Sequence, residues 1–266
     1  MEVEKLRKES NLGLNGIRIV GKNEIIAFFR SKGLVASQLL QPILYVVFIV
    51  VGLNNSIGSV NYNGLIVPYS NYTIVGIFSL LIVGQMTQVI YRVTIDKRYG
   101  LLALKLSSGV KPFYYILGMS LYSILGLGIQ EIVIYLIGLL FNINISFPLF
   151  LYIMLLSFVV LLFWTSLGVL ITMFINDYQK RDIVIRFLIT PLGFTAPVFY
   201  LYDTAPRVVQ IFGAINPLSY QLAVLRDTFF GIQSSLQIFL LILASLLSIV
   251  VTAIIIPKIN LVLVER

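Results

Sequence analysis

The sequence predicts an all-α integral membrane protein. It reads as six transmembrane helices with an N-terminal interfacial helix and a re-entrant helical hairpin before the last span. Three observations carry this. The first is composition: of 266 residues, 59% are hydrophobic and 11% charged, with a mean hydropathy of +0.98. A soluble domain carries about 25% charged residues, so this chain cannot clothe a water-facing surface, and it is too hydrophobic for disorder. The second is six apolar runs long enough to cross a bilayer as helix. They are continuous, unlike the alternating ten-residue strands of a β-barrel. The third is the placement of Lys and Arg, which cluster in every second connection between the runs.

The elements follow in order. Residues 1–33 form a basic head holding Lys5, Arg7, Lys8, Arg18, Lys22, Arg30 and Lys32. Its length and the lack of a small-residue cleavage site argue against a removable signal. Ile25, Phe28 and Phe29 among these cations predict a helix near the cytoplasmic interface, with anionic lipid as its charge partner, although on a helical wheel they form no single clean face. The body, 34–257, holds the spans at Leu34–Leu53, Thr73–Ile90, Phe113–Phe141, Pro148–Ile175, Ile183–Tyr202 and Leu236–Pro257. Residues 258–266 are a tail.

Seventeen of the nineteen Lys and Arg fall in the head, in 91–112, at 180–186 or in the tail, whereas 54–72 and 142–147 have none. The positive-inside rule then places both termini in the cytoplasm of a multi-pass plasma-membrane protein. It also accounts for most of the net charge of +8, which leaves no need for a nucleic-acid partner. The glycosylation-type triplets at Asn54, Asn71 and Asn144 fall in the expected outer loops.

Several chemistries are excluded. With no Cys and no His there is no disulfide framework, no thiolate or imidazole metal site and no His-based nucleophile. Gly16–Asn23 approaches the P-loop pattern G-x-x-x-x-G-K-[ST], but Asn23 stands where the Mg²⁺-holding hydroxyl belongs. We read a chance match and expect no ATPase site, cofactor or catalytic residue in this chain.

Residues 203–235 are too apolar for a loop and too interrupted for a span. Pro206, Gly213, Pro217 and Gly231 divide them into two half-helices, expected to dip in from the outer face. Asn216 before Pro217 is a helix start, Gly231 a helix stop, and Arg226 lies near the helix C-terminus, where a cation is favourable. Pro191 and Pro197 should kink the fifth span. Glu131, inside the third span, is a costly intramembrane carboxyl and a candidate contact in a transport pathway. Gly118, Gly126, Gly128 and Gly138 on the same span suit close helix packing. Tyr62, Tyr69, Tyr72, Tyr200 and Tyr202 read as interfacial anchors. In 91–112, Lys97, Arg98 and Lys105 beside Leu101, Leu102, Leu104 and Leu106 give a basic side and an apolar side, suited to headgroups or to a docking partner.

Asn216-Pro217-Leu218-Ser219-Tyr220, followed by Leu225-Arg226, resembles the N-P-[LF]-[ST]-Y…[LF]-R signature of the permease subunit of type-2 ABC exporters. The basic head, six spans and broken segment before the last span are similar in layout over the whole chain. The resemblance implies half of a transmembrane pathway, paired with a second permease chain, identical or different. It implies a separate ABC ATPase subunit that binds ATP and Mg²⁺. It also implies a coupling loop on which that ATPase pushes, with Asp96, Arg98, Gly100, Leu101 and Leu102 as contacts, and a re-entrant signature of Asn216, Pro217, Tyr220 and Arg226. The family's R-E-x-G-T-L-E is matched only at Gly100 and the following leucines. A secondary transporter or channel without an ATPase is the alternative, with Glu131 as its first residue of interest.

Overall fold

The computed structural model describes residues 11–143, 145–175, 177–232 and 235–259. Lys5, Arg7, Lys8, Arg266 and Asn144 lie outside the described residues. Helix α1 (Asn15–Arg30) leads into the first span, which is α2 (Lys32–Leu44), a π-helical stretch at Tyr45–Val51, and α3 (Gly52–Ile57). Pro42 sits inside α2, where it lacks a backbone N–H, and the helix widens just beyond it.

A β-hairpin follows, β1 (Ser59–Tyr62) against β2 (Leu65–Pro68), with Tyr62 opposite Leu65. Its two-residue turn is Asn63-Gly64, both at positive φ, the geometry that matches strand twist in a tight hairpin. The next helix, α4, runs Tyr69–Arg98. Gly100, at φ 68, reverses the chain into α5 (Leu101–Ser107). The long antiparallel pair α6 (Pro112–Leu140) and α7 (Phe147–Phe174) comes next, each helix with Pro in its first turn. Then come α8 (Tyr178–Val184), a π-helical stretch at Ile185–Ile189, α9 (Thr190–Thr195), α10 (Arg207–Ile215), α11 (Pro217–Phe229) and α12 (Ser235–Ile255).

Among the described residues, five helices are long and apolar enough to span: Lys32–Asn54, Tyr69–Arg98, Pro112–Leu140, Phe147–Phe174 and Ser235–Lys258. The expected fifth span is built differently. Its helix starts earlier, at Tyr178, where the Asp177 side chain caps the Lys180 N–H, and stops at Thr195 rather than Tyr202. Pro197 disfavours helical backbone at Ala196, which is extended. The eighteen residues from Tyr178 to Thr195 reach about 27 Å at 1.5 Å per residue. The bent pair α10–α11 turns by 89°, as the expected pair of half-helices, with residues 196–206 irregular before it.

The bundle is organised around α4, whose most apolar window is 83% buried, against 17% for the first span. Helices α6, α7 and α11 pack on it. One core cluster centres on Ile74–Met86 with Leu127, Trp164, Leu218 and Leu222. A second, near the α5 end, gathers Val93, Leu102, Leu106, Tyr115, Met119 and Met173. Helix α1 packs along α6 through Gly16, Val20, Gly21, Glu24 and Phe28. The approach is close: a Cβ on Gly118 would lie 2.6 Å from that of Val20. The chain end with α1, α5 and α8 is called the basic end below, and the end with the β-hairpin the hairpin end.

Candidate functional site

At the basic end, the segment expected as a loop is mostly ordered helix. Residues 91–98 extend α4, because their charges are satisfied inside the fold. Asp96 accepts from the Tyr115 hydroxyl at 2.8 Å and pairs with Lys105. Lys97, 1% exposed, donates to the carbonyls of Thr172, Met173 and Ile175 at 2.5–3.3 Å, where a cation suits the C-terminus of α7. Arg92 pairs with buried Glu24 of α1 and lies 4.5 Å over the Tyr122 ring. Arg98 lies 4.4 Å over the Tyr178 ring.

Helix α5 is therefore clamped on one side and bare on the other. Leu102 and Leu106 face the core, while Tyr99, Leu101 and Leu104 are 69%, 39% and 63% exposed. Of the five expected coupling residues, Leu101 presents outward. Leu102 and Asp96 point inward, Gly100 forms the hinge, and Arg98 stacks on α8.

At the hairpin end, a buried arginine holds the broken backbone after α9. Arg226 is 2% exposed. It donates to the carbonyls of Pro197 and Val198, both at 2.7 Å, to the Tyr72 hydroxyl at 2.8 Å and to the Tyr72 carbonyl at 3.3 Å. Its guanidinium lies 3.5 Å over the Tyr72 ring. The Tyr72 hydroxyl donates to the Tyr200 carbonyl at 2.7 Å, and Tyr69 to that of Phe199 at 3.2 Å. Four consecutive carbonyls, 197–200, thus find side-chain donors. Irregular backbone can persist at membrane depth only when its polar groups are satisfied in this way. Gly76 makes room, since a Cβ there would lie 2.5 Å from the Val198 oxygen.

Asn216 pins the hairpin bend from the other side. Its Oδ1 accepts from the Leu218 N–H at 2.9 Å, as the helix start requires. Its Nδ2 donates to the Leu192 carbonyl at 2.7 Å and to Thr195 Oγ1 at 3.0 Å. The Tyr220 hydroxyl donates to Ala214 O at 2.8 Å. Gly231, at φ 74, ends α11 as expected. Arg226 departs from its expected role, because its donors go to the 197–198 backbone rather than to the end of its own helix.

Asp227, next along α11, locks the β-hairpin down. It accepts from the Tyr62 hydroxyl at 2.8 Å, from Asn63 at 3.4 Å and from Gln237 of α12 at 3.2 Å. Burial, then the bonded Asp227 carboxylate, pushes the Tyr62 phenol above its ordinary value. Between hairpin, α11 and the 197–203 segment lies a cavity of ≈ 280 Å³, lined by Tyr62, Tyr72, Tyr202, Ser219, Tyr220 and Arg226 among others. Tyr69 and Tyr72, read as interfacial anchors, are instead 3% and 1% exposed and serve the 199 and 200 carbonyls.

Between the two ends, α6 carries a buried polar stripe. Gln85 Nε2 donates to Gln130 at 2.9 Å and to Gln38 at 3.2 Å, and Gln130 Nε2 to the Gln38 carbonyl at 2.9 Å. Glu131 is fully buried, and neither carboxyl oxygen has a hydrogen-bond partner among the described residues. The Ser157 side chain of α7 lies beside it. Gly126 faces the Gln85 amide. Trp164 is buried too, its Nε1 donating to Gln221 of α11 at 2.7 Å. The P-loop-like stretch Gly16–Asn23 is helical, with both glycines turned toward α6.

Sequence reasoning missed the glutamine triad and the Asp227 latch. A signal existed for the latch, since Asn63-Gly64 between two short apolar runs reads as a hairpin. A family model described as ABC-2 type transporter matches residues 15–230, from the first residue of α1 to the end of the hairpin. A search of curated proteins returns no match.

Proposed function

We propose a working mechanism from one premise: the chain belongs to the ABC-2 type transporter family. It is accordingly a multi-pass membrane protein and the permease component of an ABC transporter. On our reading it forms half of an export pathway with a second permease chain and is driven by a separate ABC ATPase docked at the basic end. Both termini then face the cytoplasm, by the distribution of Lys and Arg.

The observation that carries this reading is the two-sided α5. A helix fixed to α4 through Asp96–Lys105 and to α6 through Lys105, 5.5 Å from the Tyr115 ring, yet baring Leu101 and Leu104 with Tyr99 just before them, suits a lever that a soluble partner grips. Force on α5 passes directly into α4 through Asp96 and into α6 through Tyr115. At the far end of α4, Tyr69 and Tyr72 hold the broken 197–200 backbone, so a shift of α4 reaches the hairpin end through a chain of bonded groups. ATP binding would then close the ATPases, move α5 and rearrange the paired halves so that substrate leaves outward.

The test is co-purification in mild detergent of the tagged chain with the ABC ATPase encoded beside it. Leu104→Asp should abolish the complex while the permease stays monodisperse, and Leu102→Asp should instead damage the fold. Failure to bind any ATPase, together with transport that survives ATP depletion, would overturn the reading in favour of a secondary transporter.

A further inference from the structure

The cavity at the hairpin end has a floor, walls and a rim of different chemistry. Its floor is one stripe of α11: Ser219, Ala223 and Arg226, at i, i+4 and i+7. Small Ala223 between two polar residues opens the slot, and Gly213 and Ala214 of α10 add no bulk beside it. The walls are tyrosine rings from three elements: Tyr62 of the hairpin, Tyr202 of the irregular segment and Tyr220 of α11.

These rings are fixed in place. The Tyr62, Tyr202 and Tyr220 hydroxyls donate to Asp227 and to the carbonyls of Gln210 and Ala214 at 2.8–3.1 Å. They therefore offer a ligand ring surface, not hydroxyl protons. The buried charges of the lining are satisfied as well. Arg226 donates to four acceptors of the fold, and Asp227 accepts from three donors. Asp203 stands at the exposed rim, where water and salt screen it.

What is left unmet is polar and neutral. Ser219 Oγ is buried with no hydrogen-bond partner among the described residues. At the rim, Asn61 Oδ1 holds the Gly64 N–H and Asn63 Nδ2 reaches Asp227. That leaves the Asn61 amide N–H and the Asn63 amide oxygen for a ligand.

We propose that this cavity binds one sugar unit, its hydroxyls on Ser219, Asn61 and Asn63 and a C–H face against the tyrosine walls. Sugar hydroxyls both donate and accept, and C–H edges suit the negative face of an aromatic ring. An apolar ring would fill the space but leave the buried hydroxyl unpaired. An ion of either sign would meet its like in Arg226 or Asp227. The volume of ≈ 280 Å³ lies at the lower edge of small-molecule sites, about 300 Å³, which suits one ring rather than a chain. On the orientation proposed above the cavity lies on the outer side. Binding needs neither the ATPase nor the second chain, so its test stands apart from the export reading.

The test is saturation-transfer NMR of the full chain in amphipol, which carries no sugar headgroup. The probes are the methyl glycosides of glucose, galactose, mannose and N-acetylglucosamine. At least one should receive saturation. The signal should vanish in Ala223→Trp, which fills the slot from an exposed position, while the chain stays monodisperse. Affinity should fall about fivefold in Ser219→Ala, the loss of one hydrogen bond. That variant removes an unpaired buried hydroxyl, so it keeps its fold and a loss of binding is not unfolding. Cyclohexanol, a ring with a single hydroxyl, should bind about tenfold more weakly than the glycoside. Silence from all four glycosides, a signal that survives Ala223→Trp, unchanged affinity in Ser219→Ala, or equal binding of cyclohexanol would each overturn the proposal. So would displacement of the glycoside by inorganic phosphate or tetramethylammonium, since the cavity would then take an ion.

Discussion

Removing Arg226 should release the broken end of the fifth segment, and the size of the effect can be worked from its contacts. In Arg226→Ala the Val198 carbonyl loses the only side-chain donor described for it, at 2.7 Å. An orphaned buried carbonyl costs about 1–3 kcal/mol. The guanidinium 3.5 Å over the Tyr72 ring contributes about 2 kcal/mol when desolvated. The Pro197 carbonyl can take the single Tyr72 hydroxyl proton, 3.4 Å away, only at the expense of the Tyr200 carbonyl that holds it at 2.7 Å, so relief there is small. The total is at least about 3–5 kcal/mol, the range found on breaking buried charged contacts. Gly76→Ala attacks the same contact from α4, where its Cβ would lie 2.5 Å from the Val198 oxygen and 3.0 Å from Arg226 Nη2. It should cost about 1–3 kcal/mol. Both changes strike one contact, so the double variant should fall short of additivity by about 1 kcal/mol or more. Unfolding in mixed micelles with rising SDS, followed by tryptophan fluorescence, reads this directly. The chain's one tryptophan, Trp164, is bonded to Gln221 on the same helix as Arg226. A loss below about 1 kcal/mol for Arg226→Ala, or additive losses in the double variant, would refute the reasoning.

Three further outcomes follow from the same contacts. Gly118→Leu should lever α1 off α6, costing about 1–3 kcal/mol and exposing α1 to protease; protection equal to wild type would count against the close approach. Glu131→Leu should stabilise the bundle in the same SDS titration, because it replaces two buried oxygens that have only the Ser157 side chain beside them and no well-formed hydrogen bond among the described residues; a destabilised variant would show that Ser157 satisfies the carboxyl. The raised phenol of Tyr62 stabilises the fold below its unfolded value of about 10, and that stability is lost as pH rises toward the folded value. Tyr62→Phe should therefore flatten the decline of stability above about pH 10, and equal slopes in the two proteins would exclude Tyr62 as its source.

The spans were legible where apolar runs are unbroken. Phe113–Phe141 and Pro148–Ile175 were expected, and Pro112–Leu140 and Phe147–Phe174 form. The helix start at Asn216-Pro217 was legible because the cap lies within two residues of its acceptor. What hydropathy hid is polar and buried. The α4 helix looked finished at Ile90 because Arg92, Asp96 and Lys97 read as loop, yet each is satisfied by a residue distant in sequence, on α1, α6 or α7. The buried face of α1 was invisible for a similar reason: Gly16, Gly21 and Glu24 lie on it beside Val20 and Phe28. Tyr69 and Tyr72 carry no mark in the sequence separating a lipid anchor from a donor to backbone carbonyls. That difference is set by Arg226, more than 150 residues away.

The widened turns at Tyr45–Val51 and Ile185–Ile189 give the first and fifth spans something the rest of the bundle lacks. A π turn stores a residue that an α turn would pass along the axis. Each residue reabsorbed into α geometry swings everything beyond it by about 100°. The first span is the least buried of the five long helices, and the start of the fifth has almost no cover, so rotation there breaks little packing. Beside them α4 has no widened turn and is gripped along its length. The molecule thus pairs one helix gripped along its length with two thinly covered helices that each hold a widened turn, where a rotation would disturb the least packing.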